Sequence, residues 1–248
     1  KIREETPTVV LDVSDGRNMD DAHFTWSSSR LDAGLLPDPY FHASRGFAKM
    51  RQLSETNTVE WRGRSDVIRW RGGANGEGIL AFGDNDIQRP EVKQRVRLVL
   101  ISNAIPGTDI KLVAHTSKHS QDLIVSNCLG APISETGWLA DKHAIDIDGV
   151  TNSWSNFLIR MHLGCCVLKV ESQFGYRQWY YDRIRPWEHF VPVKADMSDL
   201  AEKIDWVRNH DREAEEIAMR GQAFARTMTF ESETDWAVDA IRKRIAVA

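Results

Sequence analysis

Short apolar runs alternate along this chain with stretches whose hydrophobic residues recur every three to four positions, and the two periods predict its elements. Val9, Val10, Leu11 and Val13 read as a buried strand that ends in the polar cluster Ser14, Asp15, Gly16, Arg17, Asn18. Between Asp20 and Asn57, turn residues such as Pro37 and Pro39 break the pattern into loops, short strands and one short helix. Residues 67–70 are the next strand. The glycine-rich turn Arg71-Gly-Gly-Ala-Asn-Gly-Glu-Gly follows it, and then a helix over about 90–102. That helix sets Val92, Val96, Val99 and Leu100 on one face and Lys93, Arg95 and Arg97 on the other. Residues 111–114 and 144–147 are further strands, the second running into Asp148-Gly-Val-Thr-Asn-Ser, where Ser153 can cap a helix that stops at Gly164. Strands over 165–170 and 189–193 follow, then a helix capped by Asp196 or Ser198 and another over 213–227.

Strands alternating with helices predict an α/β fold, a doubly wound and mainly parallel sheet covered on both faces. Chemistry in such folds gathers beyond the carboxyl ends of the strands. Two strand-to-helix loops therefore stand out: the one after Trp70, and Gly149, Val150, Thr151, Asn152, Ser153. Backbone N–H groups there suit a phosphate or diphosphate. The glycines match neither a dinucleotide fingerprint nor a P-loop, which argues against a nicotinamide-dependent epimerase or oxidoreductase and against a P-loop ATPase.

Charge and composition narrow the classes. A net charge of -4 gives no global basic field for nucleic acid. No apolar run reaches the roughly 20 residues of a membrane span, the most apolar stretch being short and broken by Lys169. Cys128, Cys165 and Cys166 are an odd set with two neighbours, which reads as small core residues in a reducing compartment.

Asp15, just past a buried strand and beside Gly16, is the carboxylate best placed to take a proton from a hydroxyl, with Asp12, Asp20 and Asp21 as rivals and turn formation as the plain alternative. His115 and His119 have helical ligand spacing but sit in a loop-like context, so no metal is expected. Trp154, Trp179 and Trp187 read first as core. Arg71, Arg183 and Arg185 are the cations offered to phosphate, whereas Arg208, Arg212 and Arg220 read as solvated.

The segments His143-Ala-Ile-Asp-Ile-Asp-Gly-Val-Thr-Asn-Ser-Trp-Ser, Leu163-Gly-Cys-Cys-Val-Leu-Lys-Val and Arg185-Pro-Trp-Glu-His-Phe-Val-Pro-Val-Lys-Ala-Asp-Met-Ser-Asp-Leu closely resemble glycosyltransferase family 90. The likeness runs over 143–224, with Trp70-Arg-Gly and residues 9–15 as shorter anchors. It implies a GT-B fold, two Rossmann-like domains facing a cleft, with the N-terminal one short or truncated. The matching boundaries are 1–60 for the acceptor side, 61–230 for the nucleotide-sugar side and 231–248 for a terminal helix packing back on the N-terminal part.

The resemblance further implies an inverting, metal-independent transfer of glucose or xylose from UDP-glucose or UDP-xylose to a glycan hydroxyl, as in lipopolysaccharide or capsule, with Asp15 as general base and no cofactor. Donor contacts then fall on Arg71, Gly72, Gly73, Asn75, Gly149, Val150, Thr151, Asn152, Ser153, Asn156, Glu171 and Ser172. Asn156 and Ala74 stand where family members often carry arginines, so either other cations hold the diphosphate or the donor differs. A non-catalytic nucleotide-sugar or glycan-binding module is the alternative. The expected partners are the donor and a glycan acceptor, with no nucleic acid, and a lipid-linked acceptor would bring the chain to a membrane surface. The expected location is the cytoplasm, or a secretory lumen if the chain is eukaryotic.

Overall fold

The computed structural model describes residues 8–15, 22–56, 59–113 and 126–245. Every residue of β6 (Asp141–Asp146) and β7 (Cys166–Val170) is buried, which only a strand covered on both faces achieves, and these two lie inside a five-stranded sheet. Its other strands are β4 (Ser65–Gly72), β5 (Thr108–Leu112) and β8 (Val191–Val193). The order is β5-β4-β6-β7-β8 and every pairing is parallel.

Alternation along the central strands sorts their side chains into two cores. Ile145, Cys166, Leu168 and Val170 pack with Val96 and Val99 of α3 (Gln94–Ser102) and with Leu200, Ile204 and Val207 of α5 (Leu200–Asn209). Ala144 and Val167 face the other way, onto Phe157, Leu158 and Met161 of α4 (Asn156–His162) and Met50 of α2 (Ala48–Thr56). Each fully buried aliphatic side chain contributes roughly 1.5–3 kcal/mol to holding these layers. Cys128, Cys165 and Cys166 are free and buried, and burial pushes the Cys165 thiol up to about 11.

A second, small sheet of parallel two-residue strands comes first in the chain: β1 (Leu11–Asp12), β2 (Phe24–Thr25) and β3 (Gly34–Leu35), followed by α1 (Pro39–Ala43). Strands this short cannot bury a core alone. The last helix, α7 (Phe230–Ile245), supplies the missing layer after the long α6 (Asp211–Thr227): Trp236, Ala237 and Ile241 pack on Leu11, Phe24, Trp26 and Leu36. In its first turn the buried Glu233 receives the Trp179 indole N–H at 2.8 Å and both terminal nitrogens of Arg183.

Several local expectations are corrected. Val13 is exposed rather than buried, because Asp12 turns the chain by accepting the Ser14 N–H at 2.8 Å. Among the described residues, the 20–57 segment holds two helices, α1 and α2, not one. α3 begins at Gln94, since residue 92 pairs with Ile79 as an isolated bridge, and its Arg95 and Arg97 are buried. Ser155, not Ser153, precedes α4, and Asp199, not Asp196 or Ser198, precedes α5, neither making a side-chain cap. No helix among the described residues is long and apolar enough to cross a membrane.

Candidate functional site

From β4 the chain crosses outward to β5 and then returns past β4 to β6, so strand order reverses between β4 and β6. In an open parallel sheet, a crevice opens at the carboxyl ends of such a pair. The loops singled out after Trp70 and after Asp148 flank that point, and they touch. Gly76 holds a φ of 112°, and a Cβ there would stand 2.9 Å from the Gly149 carbonyl oxygen. Only glycine permits both the backbone conformation and the approach.

Arg95 fastens the two loops from beneath. Its Nε donates to the Asp148 carbonyl at 2.9 Å, Nη2 to the Ile147 carbonyl at 3.1 Å and Nη1 to the Gly73 carbonyl at 3.2 Å. Burial lowers its pKa, against the pull of Asp146 and Asp148. Beside it Lys169 Nζ lies 2.9 Å from Asp146 Oδ2 and 2.9 Å from Asp148 Oδ1, all three side chains being buried. Burial opposes the charge on Lys169, but the two carboxylates more than offset it and hold the ammonium charged, while burial raises the Asp148 carboxyl.

The small sheet presents its own carboxyl edge to this crevice. Three residues beyond β1, Asp15 Oδ1 accepts the Thr151 hydroxyl at 2.8 Å. Three beyond β2, Ser28 exchanges backbone hydrogen bonds with Arg177. Three beyond β3, Asp38 accepts the Phe41 N–H through Oδ1 and Gln178 Nε2 through Oδ2, and burial lifts its carboxyl to about 6. Asp12 is buried at its turn, so of the carboxylates weighed beside it Asp15 is the one the described residues bring to the crevice. Asp20, Asp21, His115 and His119 lie outside the described residues.

The other candidates divide. Asn75, Gly149, Val150, Thr151 and Ser172 line one cavity together, and Glu171 lies in a neighbouring cleft of about 590 Å3 walled by Phe157, Tyr176, Tyr181 and Trp187. Ser172 belongs to both. Gly73 lends its carbonyl to Arg95, Asn152 Oδ1 accepts the Trp154 N–H at 2.6 Å, the Ser153 hydroxyl is buried, and Asn156 opens α4. Arg71 does not join them. Its guanidinium is shared among both Asp109 carboxylate oxygens at 2.8 Å and the carbonyls of Ala131, Trp70 and Asp109. Gly72 sits within β4, its carbonyl receiving the Val113 N–H. Arg183, paired with Glu233, is likewise committed elsewhere.

Sequence reasoning missed Arg95 and Lys169. Lys169 did leave a signal, as the single charge inside an apolar strand. Arg95 left none, because a helical wheel assigns a charge opposite an apolar face to solvent.

A model of glycosyl transferase family 90 matches residues 89–239. Protein O-glucosyltransferase 2 of Danio rerio is 33% identical over 143 residues, 56% of this chain and 27% of that protein. Protein O-glucosyltransferase 3 of Rattus norvegicus is 38% identical over 87 residues, 35% of this chain and 16% of that protein. Uncharacterized protein 179R of Invertebrate iridescent virus 6 is 38% identical over 91 residues, 35% of this chain and 8% of its own length. The matched stretches thus span little of these relatives. Among solved structures, Anabaena Alr3699/HepE in complex with UDP-glucose aligns at a TM-score of 0.45 and 12% identity, over 80% of this chain and 52% of that one.

Proposed function

The chain belongs to glycosyl transferase family 90, and from that premise we propose that it moves glucose or xylose from a UDP-sugar to a hydroxyl of a glycan such as lipopolysaccharide or capsule, inverting the anomeric centre without a metal. The observation that carries the reading is the Asp15–Thr151 hydrogen bond, which holds a carboxylate from the small sheet against the loop at the switch point of the large one. In this mechanism the acceptor hydroxyl gives its proton to Asp15 as its oxygen bonds to the anomeric carbon, and the bond from that carbon to UDP breaks on the opposite side. The leaving diphosphate meets the loops around Gly76 and Gly149, whose peptides the Arg95 guanidinium holds in place. A cytoplasmic location belongs to the same reading and is supported by the three free thiols. A lipid-linked acceptor would bring the protein to a membrane surface.

The test compares Asp15→Asn with wild type in UDP release from UDP-glucose and UDP-xylose over a panel of glycan acceptors. Turnover should fall by about 10²–10⁴ with UDP affinity retained. Wild-type turnover in the variant would remove Asp15 from the mechanism. Donor binding by wild type with neither transfer nor hydrolysis would instead favour the binding-module reading.

A further inference from the structure

Large apolar side chains exposed to water are scattered over most of this molecule, yet four gather around the Asp15–Thr151 contact. Val13, 72% exposed, is two residues from Asp15, and Val150, 38% exposed, adjoins Thr151. Phe174, 49% exposed, lines the same cavity as Thr151 and Val150. Tyr40, 57% exposed, has its ring centroid 6.0 Å from that of Trp154, which follows Thr151 by three residues. Exposed apolar surface gathered beside polar groups marks a contact site more often than chance placement does.

The aromatic members are also held in place. Trp154 adopts a left-handed φ of 54°, a conformation rare for a bulky residue, and its N–H is tied to Asn152 Oδ1 at 2.6 Å. Strain kept beside a reactive carboxylate is the pattern of a ligand clamp. Tyr40 rides on α1, whose start is fixed by Asp38 through Phe41 and Gln178. The ring pair is thus anchored from both sheets, as Asp15 is.

Resting on the sugar-transfer reading, we propose that Tyr40, Trp154 and Phe174 form the acceptor subsite and that its ligand is the pyranose ring of a glycan. The chemistry selects that class. A pyranose has an apolar face of C–H bonds, which the electron-rich face of an aromatic ring attracts, and a rim of hydroxyls. Around Asp15 an aromatic surface adjoins a carboxylate and a hydroxyl, so a ligand apolar on one face and hydroxylated at its edge satisfies both. An acyl chain satisfies only the first, and an extended peptide presents no such face.

Saturation-transfer NMR on the full chain, with methyl β-D-glucopyranoside and methyl β-D-xylopyranoside as probes and a serine-containing peptide as competitor, tests this without turnover. Wild type should transfer saturation to the ring C–H protons of the glycosides, and Tyr40→Ala and Phe174→Ala should each abolish most of it. With UDP-glucose present, the same variants should raise the apparent KM for the glycoside about tenfold and lower the ratio of transfer to donor hydrolysis. Met219→Ala, on the exposed side of α6, should change neither. Both substituted side chains are solvent-facing, so melting curves should match wild type. Unchanged glycoside signals in both variants would overturn the inference, as would binding of the peptide in place of either glycoside. If wild type consumed neither UDP-sugar, the transferase reading would fall, while the NMR result would still decide the subsite.

Discussion

Replacing Lys169 by Met keeps an unbranched side chain, one heavy atom shorter, and removes the charge that two buried carboxylates share. Asp146 and Asp148 each stand 2.9 Å from its Nζ, and all three residues are at least nine-tenths buried. Breaking a buried pair by removing one partner costs about 3–5 kcal/mol, because the remaining charge is left in a medium that cannot solvate it. Here two carboxylates are left, with Arg95 and Arg160 nearby to offset part of the loss, so the middle of that range, about 4 kcal/mol, is expected near neutral pH. That is a large share of the roughly 5–15 kcal/mol that keeps a domain folded. The sign with pH follows from Asp148. Burial already raises its folded-state pKa above the unfolded value, so the folded protein binds the proton more tightly and stability falls as pH rises through that window. Without Lys169, whose charge lowers it, the Asp148 carboxyl rises further and the window widens upward. Urea unfolding of wild type and variant should therefore show a gap that narrows on going from about pH 7.5 to about pH 5, as protonation of Asp148 relieves its unpaired charge. Asp148 also heads the Gly149 loop, so the variant should bind UDP more weakly. A gap below about 1 kcal/mol that stays flat over this range would show that the triad is solvated and the reasoning wrong.

Two other substitutions probe the frame. Asp38 has a folded-state pKa of about 6 against 3.8 for the free side chain, so wild type loses stability as pH rises between those values. Asp38→Asn keeps the helix-capping oxygen and loses the titration, and its stability relative to wild type should grow by on the order of 2–3 kcal/mol from about pH 4 to about pH 7; a constant difference would mean that Asp38 is not desolvated. Gly76→Ala forces a Cβ toward the Gly149 carbonyl from a φ of 112°, and should cost about 1–3 kcal/mol in thermal unfolding and weaken UDP binding measured by calorimetry. Unchanged values for both would mean that the two loops separate freely.

What the sequence made legible follows from how local each signal is. β7 shows as an apolar run because it is buried on both faces, whereas β6, whose first three residues are Asp141, Lys142 and His143, shows only over its last part; the two loops show because glycine is the only residue their backbones tolerate at close approach. Charged residues were read least well. Whether an arginine is free for a ligand depends on partners far along the chain: Arg71 pairs with Asp109, 38 residues on, and Arg183 with Glu233, 50 residues on. Neither pairing leaves a local trace. The helix pattern puts Arg95 opposite the apolar face, yet it sits at the start of α3, where it reaches three loop carbonyls beside the switch point. Val13 failed in the opposite sense, since the Asp12 turn ends the strand before it.

The weakness of the small sheet bears on how the proposed base is held. Three strands of two residues have too little surface to fix a side chain by their own packing, and α7 and the 177–183 segment stabilise them from outside. The contacts that place Asp15, Tyr40 and Asp38 are made with Thr151, Trp154 and Gln178, which belong to loops of the large sheet. Position along the chain would put the base in an independent N-terminal unit; the contacts put its orientation under the control of the loop that carries Gly149. The Thr151 hydroxyl joins that loop to Asp15 directly, while Arg95 and Lys169 fix the loop from below. On the proposed mechanism a disturbance of Arg95 or Lys169 therefore acts on the proposed diphosphate loop and on the proposed base at once, so their substitutions should lower donor affinity and turnover together rather than separately.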